Sequence, residues 1–108
     1  MSVKQISVRM LADRLAAGEA VYLLDVRQPW EHELVHLPGS VLLPLDQLSD
    51  HLDEVQPPAG ALVVAYCHHG VRSLSAAAIL DGAGIPALSL AGGIDAWSHH
   101  IDASVARY

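Results

Sequence analysis

The one cysteine of this chain, Cys67, opens the segment Cys67-His68-His69-Gly70-Val71-Arg72-Ser73. The apolar run 61–65 precedes it and the run Leu74 to Leu80 follows. A strand that ends at a loop, followed at once by a helix, aims successive backbone N–H groups and the positive end of the helix dipole at one point. A thiol at that point has its anion stabilised and becomes a nucleophile near neutral pH. Inert packing is the competing reading, since free cysteines are often buried. The neighbours disfavour it: His68 and His69 do not suit a core, and Gly70 permits a backbone with positive φ. Arg72 at a helix start opposes the dipole, a conflict that a bound anion would remove. Arg72 is therefore expected to order the loop or its anionic ligand.

Four histidines in two adjacent pairs, His68-His69 and His99-His100, raise the question of a metal. Neighbouring residues on one loop rarely aim both rings at one ion, and there is no second cysteine to complete a zinc set. No metal and no cofactor is expected. His68 and His69 are expected to line the mouth of a pocket, and His99 and His100 to end a solvated helix. Asp25 and Arg27 stand two apart, so they point the same way if strand geometry persists. They are expected to form a structural ion pair beside the site, with Glu31 as a possible third member. Trp30 and Trp97 are read as core or pocket-wall packing.

The elements that must position these groups are legible in outline. Ser7 caps a short amphipathic helix that carries Val8, Met10, Leu11 and Leu15 and stops at Gly18. Val21 to Leu24 reads as a central parallel strand, which Gln28, Pro29 and Trp30 break. Pro38-Gly39 marks a turn before a strand over 41–43. Leu45, Leu48, Leu52 and Val55 have helical spacing, and Pro57-Pro58 ends that helix. A strand over 61–66, a helix over 72–83, a strand over 87–90 and a terminal helix opened by Gly92-Gly93 complete the order. The pair Gly92-Gly93 is expected to let the last turn pass close to the loop at Cys67. This alternation predicts an α/β fold: an open parallel sheet of about five strands flanked by helices on both faces. Sites in such sheets lie beyond the carboxyl ends of the strands, where both Cys67 and the Asp25–Arg27 pair fall.

Length and composition set the outer limits. A chain of 108 residues, 52% hydrophobic and 17% charged, suits one domain over 1–108 with a core of its own. A net charge of -6 argues against nucleic acid. The segment 1–13 lacks the pattern of a secretory signal, and no apolar stretch is long enough to span a membrane. A cytoplasmic location is the expectation, since a lone cysteine makes no internal disulfide.

Taken in order, Asp25-Val26-Arg27, Glu31, His36-Leu37-Pro38-Gly39, the loop from Cys67 to Ser73, and Gly92-Gly93 followed by Trp97 resemble the single-domain rhodaneses across nearly the whole chain. The family loop Cys-x-x-Gly-x-Arg-Ser is matched by Cys67, Gly70, Arg72 and Ser73. Val35 stands where the family commonly has glycine. Six residues run from Cys67 to Arg72 inclusive, the length used for sulfur transfer; the related cell-cycle phosphatases use a loop one residue longer. The resemblance implies that Cys67 is catalytic and that His68, His69, Gly70, Val71, Arg72 and Ser73 form the substrate-binding loop. It implies a sulfurtransferase that moves a sulfane sulfur from a small-molecule donor such as thiosulfate, through a persulfide on Cys67. The acceptor would be cyanide, a thiol or a protein. A rhodanese-like module that binds a protein partner without turnover is the alternative, and an intact loop with its cysteine favours the enzyme.

Overall fold

A computed structural model describes residues 3–108; the amino-terminal reading at Met1 and Ser2 lies outside them. The chain runs β1 (Gln5–Ile6), α1 (Val8–Ala16), β2 (Val21–Asp25), α2 (Pro29–Leu34), β3 (Val41–Leu42), α3 (Leu45–Leu48), a 3-10 turn (Leu52–Glu54), β4 (Leu62–Tyr66), α4 (Arg72–Gly82), β5 (Leu88–Leu90) and α5 (Gly93–His100). The five strands form one sheet in the order β1-β5-β4-β2-β3, every pair parallel. This is the expected α/β architecture.

Strand periodicity divides the core in two. On β4, Val63 and Ala65, with Cys67 just beyond the strand, face a layer that holds Leu48, Ala76, Ala77 and Leu80 of α3 and α4. Val64 and Tyr66 point the other way, to Leu11 of α1 and Ile94 and Trp97 of α5. The central strands are thus covered on both sides, which is why β2 and β4 read as unbroken apolar runs. Ser7 caps α1 as expected, its Oγ accepting the Met10 N–H at 3.1 Å.

Four features differ from the sequence reading. Pro29 starts a helix instead of only breaking a strand, because the first helical position needs no N–H donor. The helix expected over 45–55 is split into α3 and the 3-10 turn. Ser49 and Asp50 lie at the break, residue types that compete with helical backbone hydrogen bonds. The two-residue strand β1 is too short to leave a periodic signal. Trp30 is 61% exposed, whereas Trp97 is buried in the core as read.

Candidate active site

Register sets the position of Cys67. Asp25 at the end of β2 is paired with Tyr66 at the end of β4, and Val26 donates its N–H to the Tyr66 carbonyl at 3.1 Å. Cys67 therefore emerges at the carboxyl edge of the sheet next to the Asp25–Arg27 segment, as open parallel sheets require. Its sulfur accepts the Gly70 N–H at 3.2 Å and the Ser73 N–H at 3.4 Å, and lies 3.5 Å from Ser73 Oγ. Helix α4 has no side-chain cap at its start. The sulfur takes the place of one, receiving an amide from the first turn where the dipole favours negative charge.

Two glycines make that loop possible. Gly70 has φ 97°, and a Cβ there would stand 2.9 Å from the Gly92 nitrogen. Gly93 has φ 62°, and a Cβ on it would overlap the carbonyl oxygens of Cys67 and His68. Those carbonyls are bonded to α5, through the Ile94 N–H at 2.9 Å and the Asp95 N–H at 3.1 Å. The loop thus turns its carbonyls toward α5 and two of its amides toward the sulfur. The close approach read from Gly92-Gly93 is present at both glycines.

Arg72 does not reach into the loop as a free cation. Its guanidinium makes two hydrogen bonds with Glu31, at 2.6 and 2.9 Å, across from the first turn of α2. Glu31 also accepts the Gln28 N–H at 3.1 Å, which stitches the start of α2. The Arg72 bonds, with help from Tyr108, hold the Glu31 carboxyl down at about 2 despite its burial. The same bonds push Arg72 upward.

Asp25 and Arg27 form the buried ion pair expected of them, both side chains fully enclosed. Asp25 Oδ2 receives Arg27 Nη2 at 2.7 Å, and Oδ1 receives Nε at 2.9 Å. His32 Nδ1 stands 2.8 Å from the same carboxylate. Burial works against the Arg27 charge, yet the hydrogen bonds it donates to Asp25 and Tyr108 raise its pKa. Glu31 joins this pair only through Tyr108. That phenol accepts from Arg27 Nη1 at 2.7 Å and donates to Glu31 Oε2 at 2.7 Å. Burial and the bond to Glu31 raise its own pKa to about 12. Asp25, Arg27, Tyr108, Glu31 and Arg72 are therefore one continuous polar chain that ends beside the sulfur.

The histidines stack instead of converging. The His68 ring lies between His69 and Tyr108, with centroids 3.9 Å away on each side. Donor atoms of His68, His69 and Asp95 fall within 4.8 Å of one another. Lone pairs lie in the ring planes, so stacked imidazoles do not aim at one ion, and Asp95 is already held by Arg107 at 3.0 Å. Burial, then His69, lowers the His68 pKa. Val71 is 73% exposed at the loop tip. His99 and His100 lie exposed at the end of α5. A cleft of about 500 Å³ bordered by Val3, Leu62, Ala78 and Leu88 lies at the opposite ends of the strands and includes none of these residues.

Sequence reasoning placed Cys67, the loop and the Asp25–Arg27 pair correctly in space. It missed Tyr108, which no local pattern announces, and it gave Glu31 the wrong arginine. The spacing Gln28-Pro29-Trp30-Glu31 is a helix-start signal that could have fixed the Glu31 carboxylate at the head of α2.

A parallel α/β sheet that presents a cysteine sulfur to loop amides at its carboxyl edge defines a class of cysteine-loop proteins. Within that class this chain belongs to the rhodanese-like family: the model for the Rhodanese-like domain matches residues 7–100. It is 37% identical over 99 residues to a sulfurtransferase of Allochromatium vinosum, covering 91% of each chain. It is 36% identical over 104 residues to the probable adenylyltransferase/sulfurtransferase MoeZ of Mycobacterium tuberculosis, covering 95% of this chain but only 26% of that protein. The rhodanese-like domain protein of Staphylococcus aureus superposes with a TM-score of 0.82 at 27% identity, over 98% of this chain and 99% of that one. Among the described residues no helix is long and apolar enough to cross a membrane.

Proposed function

We propose that this domain is a sulfurtransferase in which Cys67 carries the sulfur as a persulfide. The Cys67 thiolate attacks the outer sulfur of a sulfane donor such as thiosulfate. The sulfur–sulfur bond of the donor breaks, its electron pair leaves with sulfite, and the anionic charge passes to the new outer sulfur on Cys67. An acceptor anion (cyanide, a thiolate or a protein thiolate) then attacks that outer sulfur and returns Cys67 to its thiolate. Dividing the transfer this way lets one site use unrelated donors and acceptors. The observation that carries the reading is the pair of amides, from Gly70 and Ser73, directed at the sulfur within a loop of six residues. Such donors stabilise a sulfur anion before and after it gains the second atom.

In this reading Gly70 and Ser73 hold the anion, while Arg72, fixed by Glu31, supplies positive charge at the edge of the loop. His68, His69 and Val71 form the rim that meets donor and acceptor. Asp25 and Arg27 support the frame.

Intact-protein mass spectrometry after thiosulfate treatment tests the proposal. The expected result is a gain of one sulfur atom that cyanide removes as thiocyanate and that Cys67→Ser abolishes. No gain on the unaltered protein, with no thiocyanate formed, would refute it and leave a binding module.

A further inference from the structure

Behind the sulfur, on the side away from the rim, lies a second hydroxyl. Ser89 of β5 is fully buried, and among the described residues its Oγ has one partner, Ser73 Oγ, at 2.7 Å. Ser73 is equally buried, and its Oγ is 3.5 Å from Cys67 Sγ. The three atoms form a short chain, sulfur to hydroxyl to hydroxyl, whose two hydroxyls are closed off from water. Ser89 stands opposite Ala65 in the β4–β5 register, so the sheet itself sets its place.

Each hydroxyl has one proton to give, which gives the chain a direction. When a Cys67 thiol donates its S–H to Ser73 Oγ, Ser73 donates to Ser89 Oγ, and the Ser89 proton is left without an acceptor among the described residues. When Cys67 is a thiolate the order reverses. Ser89 donates to Ser73, Ser73 donates to the sulfur, and every proton is placed. Both hydroxyl dipoles then point at the anion, and hydrogen bonds in series polarise one another.

We infer that Ser89 is a positioning residue for Cys67, acting through Ser73 to favour the thiolate. This rests on the reading of Cys67 as the reacting sulfur. The charged and titratable groups around the loop are Arg72 at the head of α4, Glu31 of α2, His68 and His69, Asp95 of α5, and Tyr108. None touches Ser89, so a Ser89 substitution leaves them as they are.

Because the chain has a single cysteine, the rate of iodoacetamide alkylation against pH reports Cys67 alone. Ser89→Ala is expected to slow alkylation at pH 7 by about two- to tenfold, the range of one net hydrogen bond. The rate should converge on that of the unaltered protein at high pH, where the thiol is fully ionised. A merely structural defect would lower or raise the rate at every pH. Ser73→Ala supplies the second arm: in that background Ser89→Ala should change nothing further. Unchanged profiles for Ser89→Ala, a pH-independent change, or additive effects of the two substitutions would overturn the inference. A thiosulfate-treated protein that gains no sulfur refutes the sulfurtransferase reading instead, and the alkylation cycle still reports on Ser89.

Discussion

Glu31 grips Arg72 through both carboxylate oxygens, and the grip joins the start of α2 to the start of α4. The positive charge beside the sulfur is thus held at a fixed distance by a carboxylate that is almost wholly buried. A cation so paired adds field without closing over the sulfur. Its loss would disturb the loop's shape as well as its charge.

Glu31→Gln should therefore affect both stability and sulfur transfer. The substitution replaces a two-point ionic contact with a neutral one and leaves Arg72 without a counter-charge. Arg72 is partly exposed, so solvent screening limits the loss to about 1–2 kcal/mol. Urea midpoints check the stability. Persulfide formation at limiting thiosulfate should slow along with it, because the first turn of α4 is no longer anchored.

The same carboxylate gives the fold an acid limit. Its ordinary value is 4.5, and Arg72 holds it at about 2 in the folded chain. A group depressed on folding contributes fully above the unfolded value and loses that contribution as the pH falls through the folded one. The stability difference between the unaltered protein and Glu31→Gln should be constant above pH 5 and close progressively between 4.5 and about 2. Chemical denaturation across that range measures it.

Asp25→Asn should be more severe. Arg27 is wholly buried and cannot shed its proton, so removing the negative charge leaves a bare cation in the core. The expected cost is about 3–5 kcal/mol, visible as a large fall in thermal midpoint. Sulfur transfer should fall with the folded fraction, in contrast to Glu31→Gln.

Two glycines with left-handed backbone separate strain from collision. Gly39 has φ 77° and open space around it, so Gly39→Ala should cost only about 1–2 kcal/mol. Gly93→Ala adds the overlap with the Cys67 and His68 carbonyls, which are main-chain atoms that cannot turn aside. Its melting temperature should fall well below that of Gly39→Ala, and any folded protein should react poorly with thiosulfate. Parallel melting curves and mass spectra decide the comparison.

How much of this could be read from the chain follows from distance along it. The cysteine loop is contiguous, and its residue types declare a strand, a tight turn and a helix in succession. Asp25 and Arg27 are two apart, which puts both on one side of a strand end. Glu31 and Arg72 are separated by 41 positions, and Tyr108 and Arg27 by 81. Partners that far apart meet only after the crossovers place them, and nothing local to Glu31 tells which arginine it will meet. The same holds for Ser89, whose neighbour in the strand register is 24 positions away. Trp30 lies outside the core because the first turn of α2 turns it outward, with its ring edge-on to Tyr108.

The loop around Cys67 divides its labour between two kinds of atom. Main-chain amides grip the sulfur, and main-chain carbonyls are tied off against α5, while the side chains of His68, His69 and Val71 are spared both tasks. In the proposed sulfurtransferase, a change of partner molecule therefore asks for new side chains at 68, 69 and 71 and for no new backbone. Exchanging that triplet offers a route to altered selectivity that leaves the reacting centre as it stands.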